Sequence, residues 1–129
     1  MARAGADADR ISDLFAVFGP VTVKRMFSGA GIYHRGTIFA LCIDDVIYLK
    51  ADGQSIPAFE REGLGPFTYT AKNRGRVATS YWRIPDRLYD DPDELAQWTS
   101  AAFKAALRFA AAKPGRAKAR PKSGRKRKA

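Results

Sequence analysis

The sequence predicts an α+β fold of two layers, an antiparallel β-sheet of about six strands packed against N-terminal, middle and C-terminal helices. Apolar residues recur at helical spacing near both ends of the stretch able to fold, and short β-rich runs lie between them. The runs are joined by turn-type pairs, and so short a connection forces antiparallel neighbours, because a parallel crossover needs about a dozen residues.

The first helix is marked by Ile11, Leu14, Phe15 and Phe18, with Asp7 and Asp9 as capping candidates and Gly19-Pro20 as the stop. Four strands follow in the runs VTVKRMF, GIYH, TIFALCI and VIYLK between Val21 and Lys50. They are separated by Ser28-Gly29, Arg35-Gly36 and Asp44-Asp45, which gives a four-stranded meander. Ser55-Ile56-Pro57 opens a short middle helix that Gly63 ends, with Phe59 as its main apolar contact. PFTYTA places Phe67, Tyr69 and Ala71 on one face, and the polar turn KNRGR leads into VATSYWRI as the returning strand of a second hairpin.

The last helix has the best-marked start. Asp91 suits the N-cap, Pro92 the first helical position, and Asp93 and Glu94 complement the positive end of the helix dipole. Leu95, Trp98, Ala102, Ala105 and Phe109 form its apolar stripe, Phe103 and Leu107 widen it, and Lys113-Pro114-Gly115 ends the pattern.

The chain of 129 residues, 46% hydrophobic and 12% aromatic, suffices for one core and leaves little material for a second. The formal net charge of +10 is unevenly placed. Nine cations, Lys113, Arg116, Lys118, Arg120, Lys122, Arg125, Lys126, Arg127 and Lys128, lie in residues 113–129 with no acid among them, leaving +1 for residues 1–112. The organisation read from this is a nearly neutral folded domain, residues 1–112, and a basic disordered tail, residues 113–129, whose composition offers no large apolar side chain.

One cysteine, Cys42, excludes an intramolecular disulfide and a multi-cysteine metal cage, and suggests a reducing compartment. MARAGADADR lacks the apolar stretch of a secretory signal, and no run reaches the roughly 18 apolar residues of a membrane span. A cytoplasmic protein is expected.

The stretch Arg25-Met26-Phe27-Ser28-Gly29-Ala30-Gly31-Ile32-Tyr33 resembles the signature of the N-terminal domain of the TfoX/Sxy competence-regulator family, a Met-Phe pair before a glycine-rich turn and an apolar-Tyr pair. Met26, Phe27, Gly29, Gly31 and Tyr33 carry it. Phe39-Ala40-Leu41, Asp45 to Lys50, Phe67-Thr68-Tyr69, Ser80 to Pro85 and a Trp98-containing helix follow at similar spacings, so the resemblance covers roughly residues 10–112. It implies an antiparallel sheet covered by helices and a link to the regulation of DNA uptake, since the named members promote expression of competence genes. The sequence departs from the family in two ways. The basic tail stands where the family's second domain would begin, and Ser28 occupies a position that is usually glycine.

Residues able to carry chemistry are few, and no enzyme, cofactor or metal site is expected. His34, the only histidine, reads as an ordinary exposed residue at a strand end, and Cys42 as a small buried apolar one. Ser28-Gly29-Ala30-Gly31 precedes a strand rather than a helix, so it reads as a tight turn and not a phosphate loop. Asp44-Asp45 and Asp90-Asp91 read as a turn and a helix cap. Tyr33, Tyr48, Tyr69, Tyr81 and Trp82 suit core or cross-strand packing better than a base-stacking platform, because the body lacks surplus positive charge. The tail cations form the candidate nucleic-acid contact, non-specific and salt-sensitive. Without an apolar anchor the tail would hold anionic lipid only weakly.

Two functional readings follow. One is a regulatory module with a protein partner, such as the transcription machinery, and DNA or RNA on its tail. The alternative is a self-associating adaptor or chaperone-like domain, a homodimer, with no nucleic-acid role.

Overall fold

The computed structural model describes residues 8–26 and 29–112. Phe27 and Ser28 of the signature, the cap candidate Asp7, the stop Lys113-Pro114-Gly115 and the whole basic tail lie outside the described residues.

The apolar spacing near the start forms α1 (Ala8–Leu14), which buries Ile11. Helical hydrogen bonding continues briefly beyond it, from the Phe15 N–H to the Ile11 carbonyl at 3.1 Å and from the Gly19 N–H to the Phe15 carbonyl at 3.0 Å. That extra turn carries Phe15 into the core.

The predicted meander is present as β1 (Thr22–Met26), β2 (Gly29–His34), β3 (Thr37–Ile43) and β4 (Val46–Lys50), each antiparallel to the next. Both residues of the Arg35-Gly36 connection have positive φ, 52° and 81°, as do Asp44 and Asp45 at 52° and 67°. This is the primed-turn geometry whose twist matches that of the flanking strands.

The middle helix α2 (Ile56–Arg61) follows, and Gly63 at φ 76° ends its last turn. Phe59 is buried against Trp82 and Trp98, with ring centroids 5.9 and 5.1 Å away. The second hairpin, β5 (Pro66–Ala71) and β6 (Gly75–Arg83), turns through Asn73 at φ 70° and Gly75 at φ 69°. Its inner strand β6 joins the free edge of β4, with Leu49 opposite Trp82 and Lys50 opposite Tyr81. One six-stranded sheet results, in the order β1-β2-β3-β4-β6-β5.

Between β6 and the last helix lies a 3₁₀ turn, Asp86–Asp90, which the sequence reading assigned to no element. It is firmly held: Leu88 is fully buried, and the Tyr89 hydroxyl accepts a 2.9 Å hydrogen bond from the Ile47 N–H. The final helix α3 (Pro92–Ala111) begins as expected, with the Asp91 carboxylate accepting from the Glu94 N–H at 3.0 Å.

The buried stripe of α3 differs from the predicted one. Phe109 and Leu107 are 46% and 45% exposed, whereas Thr99 and the small residues Ala102, Ala105 and Ala106 are buried beside Leu95. Small side chains let a helix lie close to a sheet, so the aromatic at the far end of the stripe overhangs it.

The core lies between the helices and one sheet face, around Phe15, Ile32, Phe39, Leu49, Ile84 and Leu95. A bulge in the β2–β3 ladder pairs Ile32 with Ala40 and Tyr33 with Ile38, leaving Phe39 as the extra residue. Its ring turns to the helix side, 5.6 Å from Phe15 and 5.5 Å from Phe18.

Ion pairs brace the helices from outside. Arg87 donates in forked fashion to Glu62 at 2.8 and 3.0 Å and to Glu94 at 3.0 and 2.8 Å, linking α2, the 3₁₀ turn and α3. Arg108 makes a similar fork to Asp52 at 2.6 and 3.0 Å.

Candidate functional site

Strand alternation sends every second side chain to the face opposite the helices. There β1 presents Met26, β3 presents Ile38, Leu41 and Ile43, β5 presents Phe67 and Tyr69, and β6 presents Thr79 and Tyr81, all in the wall of one concavity of about 600 Å³. In a flat six-stranded sheet the outer strands would lie roughly 24 Å apart, at about 4.8 Å per neighbour. One cavity walled by both β1 and β5 therefore requires a strongly coiled sheet, and the irregularities at Ile32/Tyr33 and Pro66/Thr68 supply the bends.

The floor is built from glycine. A Cβ on Gly29 would meet the Cys42 carbonyl oxygen at 2.2 Å, and one on Gly31 would meet Met26 Cε at 2.7 Å and Ile38 Cδ1 at 3.0 Å. These glycines, read from sequence as parts of a tight turn, are strand residues of β2. Close approach of neighbouring atoms requires them, not turn conformation.

Polar groups of this face include Tyr69, Tyr81, Thr79 and Lys24. Thr79 Oγ1 donates to the Phe67 carbonyl at 2.9 Å and accepts from the Tyr81 N–H at 3.1 Å, so it fastens the β5–β6 irregularity. Burial pushes the Tyr81 phenol up to about 12, and the neighbouring Tyr33 phenol adds to the rise. Lys24 Nζ lies 4.8 Å from the Tyr33 ring centre, and Lys50 Nζ lies 5.0 Å from that of Tyr81. Lys50 Nζ also donates to Ser80 Oγ at 2.7 Å and sits 3.6 Å from the Phe109 ring centre. Among the described residues no carboxylate lines the concavity.

Other sequence candidates lie elsewhere. His34 is not an ordinary exposed residue: it is half-buried, its ring 4.8 Å from Phe18 and 4.9 Å from Phe103. Its Nδ1 is 2.7 Å from the Pro20 carbonyl oxygen, an acceptor, which places the proton on Nδ1. Cys42 is fully buried, and burial, followed by the nearby Asp45, pushes its thiol up to about 11. Asp44 and Asp45 form a turn, and Asp91 forms a cap. Among the described residues no group of three or more His, Cys, Asp or Glu could hold a metal ion.

Of the five aromatics considered as a platform, Tyr69 and Tyr81 line the concavity, and Trp82 lies on the other face. Trp82 faces the helices beside Phe59, Tyr48 packs on Phe67 with centroids 5.1 Å apart, and Tyr69 is 47% exposed.

A model of the TfoX N-terminal domain matches residues 13–106, from the end of α1 through the sheet and most of α3. The chain belongs to this family. It is also 30% identical over 71 residues to the DNA transformation protein TfoX of Haemophilus influenzae, a match covering 54% of this chain and 33% of that relative. The matched stretch thus spans about a third of the relative's length. In this TfoX N-terminal domain the signature residues Met26 and Gly29 border the concavity, Gly31 lies beneath Met26 and Ile38, and Tyr33 stands beside them.

Sequence reasoning selected the signature without selecting Ile38, Leu41, Ile43, Thr79 or Tyr81 as its surroundings. A usable signal was present. TIFALCI is apolar at successive positions rather than alternating, which marks a strand with two apolar faces.

Proposed function

We propose that this chain is a non-enzymatic regulatory protein of DNA uptake, acting through protein–protein contacts of its folded domain in the cytoplasm. Family membership over residues 13–106 carries the reading, and the DNA transformation protein named among its relatives gives the process. A partner in the transcription machinery fits that role.

The tail adds a second contact. Its nine cations, Lys113 to Lys128, attract DNA or RNA phosphates without sequence preference, while the body carries only +1. Among the described residues no helix is long and apolar enough to cross a membrane, which is compatible with an aqueous setting for both contacts.

The test compares DNA and RNA binding by the full chain and by a version ending at Ala112, across several salt concentrations. The expected outcome is a steep salt dependence, with a logarithmic slope of about −0.9 per duplex phosphate neutralised, that vanishes on truncation. Equal, negligible binding by both would remove nucleic acid and favour the self-associating adaptor, for which the apolar concave face is the supporting observation.

A further inference from the structure

The signature residues Met26 and Gly29 border a hollow that the regulatory reading does not use. At about 600 Å³ it falls within the size range of small-molecule sites, roughly 300–1,000 Å³. Its body is apolar, between Met26, Leu41, Ile43 and Phe67, and among the described residues no acidic side chain lines it.

Charge appears at one end. On β1, Lys24 shares the face of Met26 two residues away and holds its ammonium over Tyr33. On β4, Lys50 also nears the Tyr81 ring, but Ser80 and the Phe109 ring of α3 hold its ammonium toward the helix side. One cation, Lys24, and the phenols of Tyr33 and Tyr81 therefore mark one end of an apolar trough. An apolar wall with a cationic and phenolic end complements a molecule with an apolar body and one negative group.

We propose that the concave sheet face binds an amphipathic carboxylate of the free fatty-acid type. Its chain lies between Met26, Leu41, Ile43 and Phe67, and its carboxylate lies toward Lys24 and the phenols of Tyr33 and Tyr81. Glycine at position 31 is part of the site, because a side chain there would displace the Met26 methyl, which closes over the floor. The elevated Tyr81 phenol pKa fits this use, since the group stays protonated and able to donate to a carboxylate throughout the physiological range. The proposal is independent of what the tail contacts.

The experiment titrates the full chain with decanoate and, separately, with decanol. Binding is followed by calorimetry and by the side-chain resonances of Met26, Ile38, Leu41 and Ile43, which exclude loose association with the tail. The expected result is saturable one-to-one binding that moves those resonances, with decanoate held roughly two- to fivefold more tightly than decanol, the scale of one partly screened ion pair. Lys24→Ala should erase that preference and leave decanol binding intact. Leu41→Trp should abolish binding of both in a protein with an unchanged thermal midpoint; Lys24→Ala, an exposed substitution, carries the test if Leu41→Trp does not fold. The proposal is overturned if neither probe moves these resonances, if the two probes bind equally, or if Lys24→Ala keeps the preference. A concentration-dependent dimer that already shields the same resonances would also overturn it, and would assign the face to a second copy of the chain.

Discussion

The two faces of the sheet carry similar residue types and meet different fates. On the helix side Ile32, Phe39, Cys42 and Leu49 are fully buried beneath α1, α2 and α3. On the other side Ile38, Leu41 and Ile43, drawn from the same strands, stay half-buried around an open hollow, and Tyr69 at its rim is 47% exposed. An antiparallel sheet with one covered face needs apolar residues on that face only, and water ordinarily selects polar ones on the other. The helix-side core does not need the second apolar face, and the proposed ligand would account for it.

The sharpest way to break this comparison is to truncate one residue on each side. Phe39→Ala should cost about 3–5 kcal/mol, since its ring meets Phe15, Phe18 and Phe103, whereas Leu41→Ala should cost well under half of that. Urea unfolding of both variants measures the difference, and equal losses would make the hollow part of the core.

The glycine floor offers a finer contrast. Gly29→Ala forces a methyl against backbone at Cys42 and should destabilise by about 1–3 kcal/mol. Gly31→Ala meets side-chain ends instead, Met26 Cε first, so its cost in the same assay should be smaller and its effect on decanoate binding larger.

Smaller still is Tyr89→Phe, which removes the acceptor of the Ile47 N–H and should lower stability by about 1 kcal/mol without touching the hollow. Unchanged stability would mean that water replaces the hydroxyl.

The smallest change is expected from Asp52→Asn. The hydrogen bonds from Arg108 hold the Asp52 carboxyl below its ordinary value, so its contribution is present above the unfolded-state pKa and is lost as pH falls through the folded one. The stability difference between parent and variant should be visible at neutral pH and fade in acid. A difference that persisted in acid would assign the effect to packing.

Legibility followed the locality of the signal. The meander could be read because Arg35-Gly36 and Asp44-Asp45 are two-residue turns between β-rich runs, and α3 because Asp91-Pro92 begins it. The 3₁₀ turn at Asp86–Asp90 escaped because five residues carry no period, and Leu88 and Tyr89 gain their roles only from contact with the sheet. The overreach at Phe109 had a related origin: helical spacing identifies a face but not where the sheet beneath it ends. His34 was misread for the same reason, since its neighbours Phe18 and Phe103 lie far from it in the chain.

The sequence by itself determined the element order, the antiparallel pairing, the family signature and the segregation of charge into residues 113–129. These rest on spacing, turn chemistry and composition, which act over a few residues. The tertiary structure decided that β6 joins β4, that bulges coil the sheet, and that Met26 and Gly29 meet Phe67, Tyr69 and Tyr81 around one hollow. Curvature sums small twists and bulges over six strands, and no single segment of the chain carries that sum.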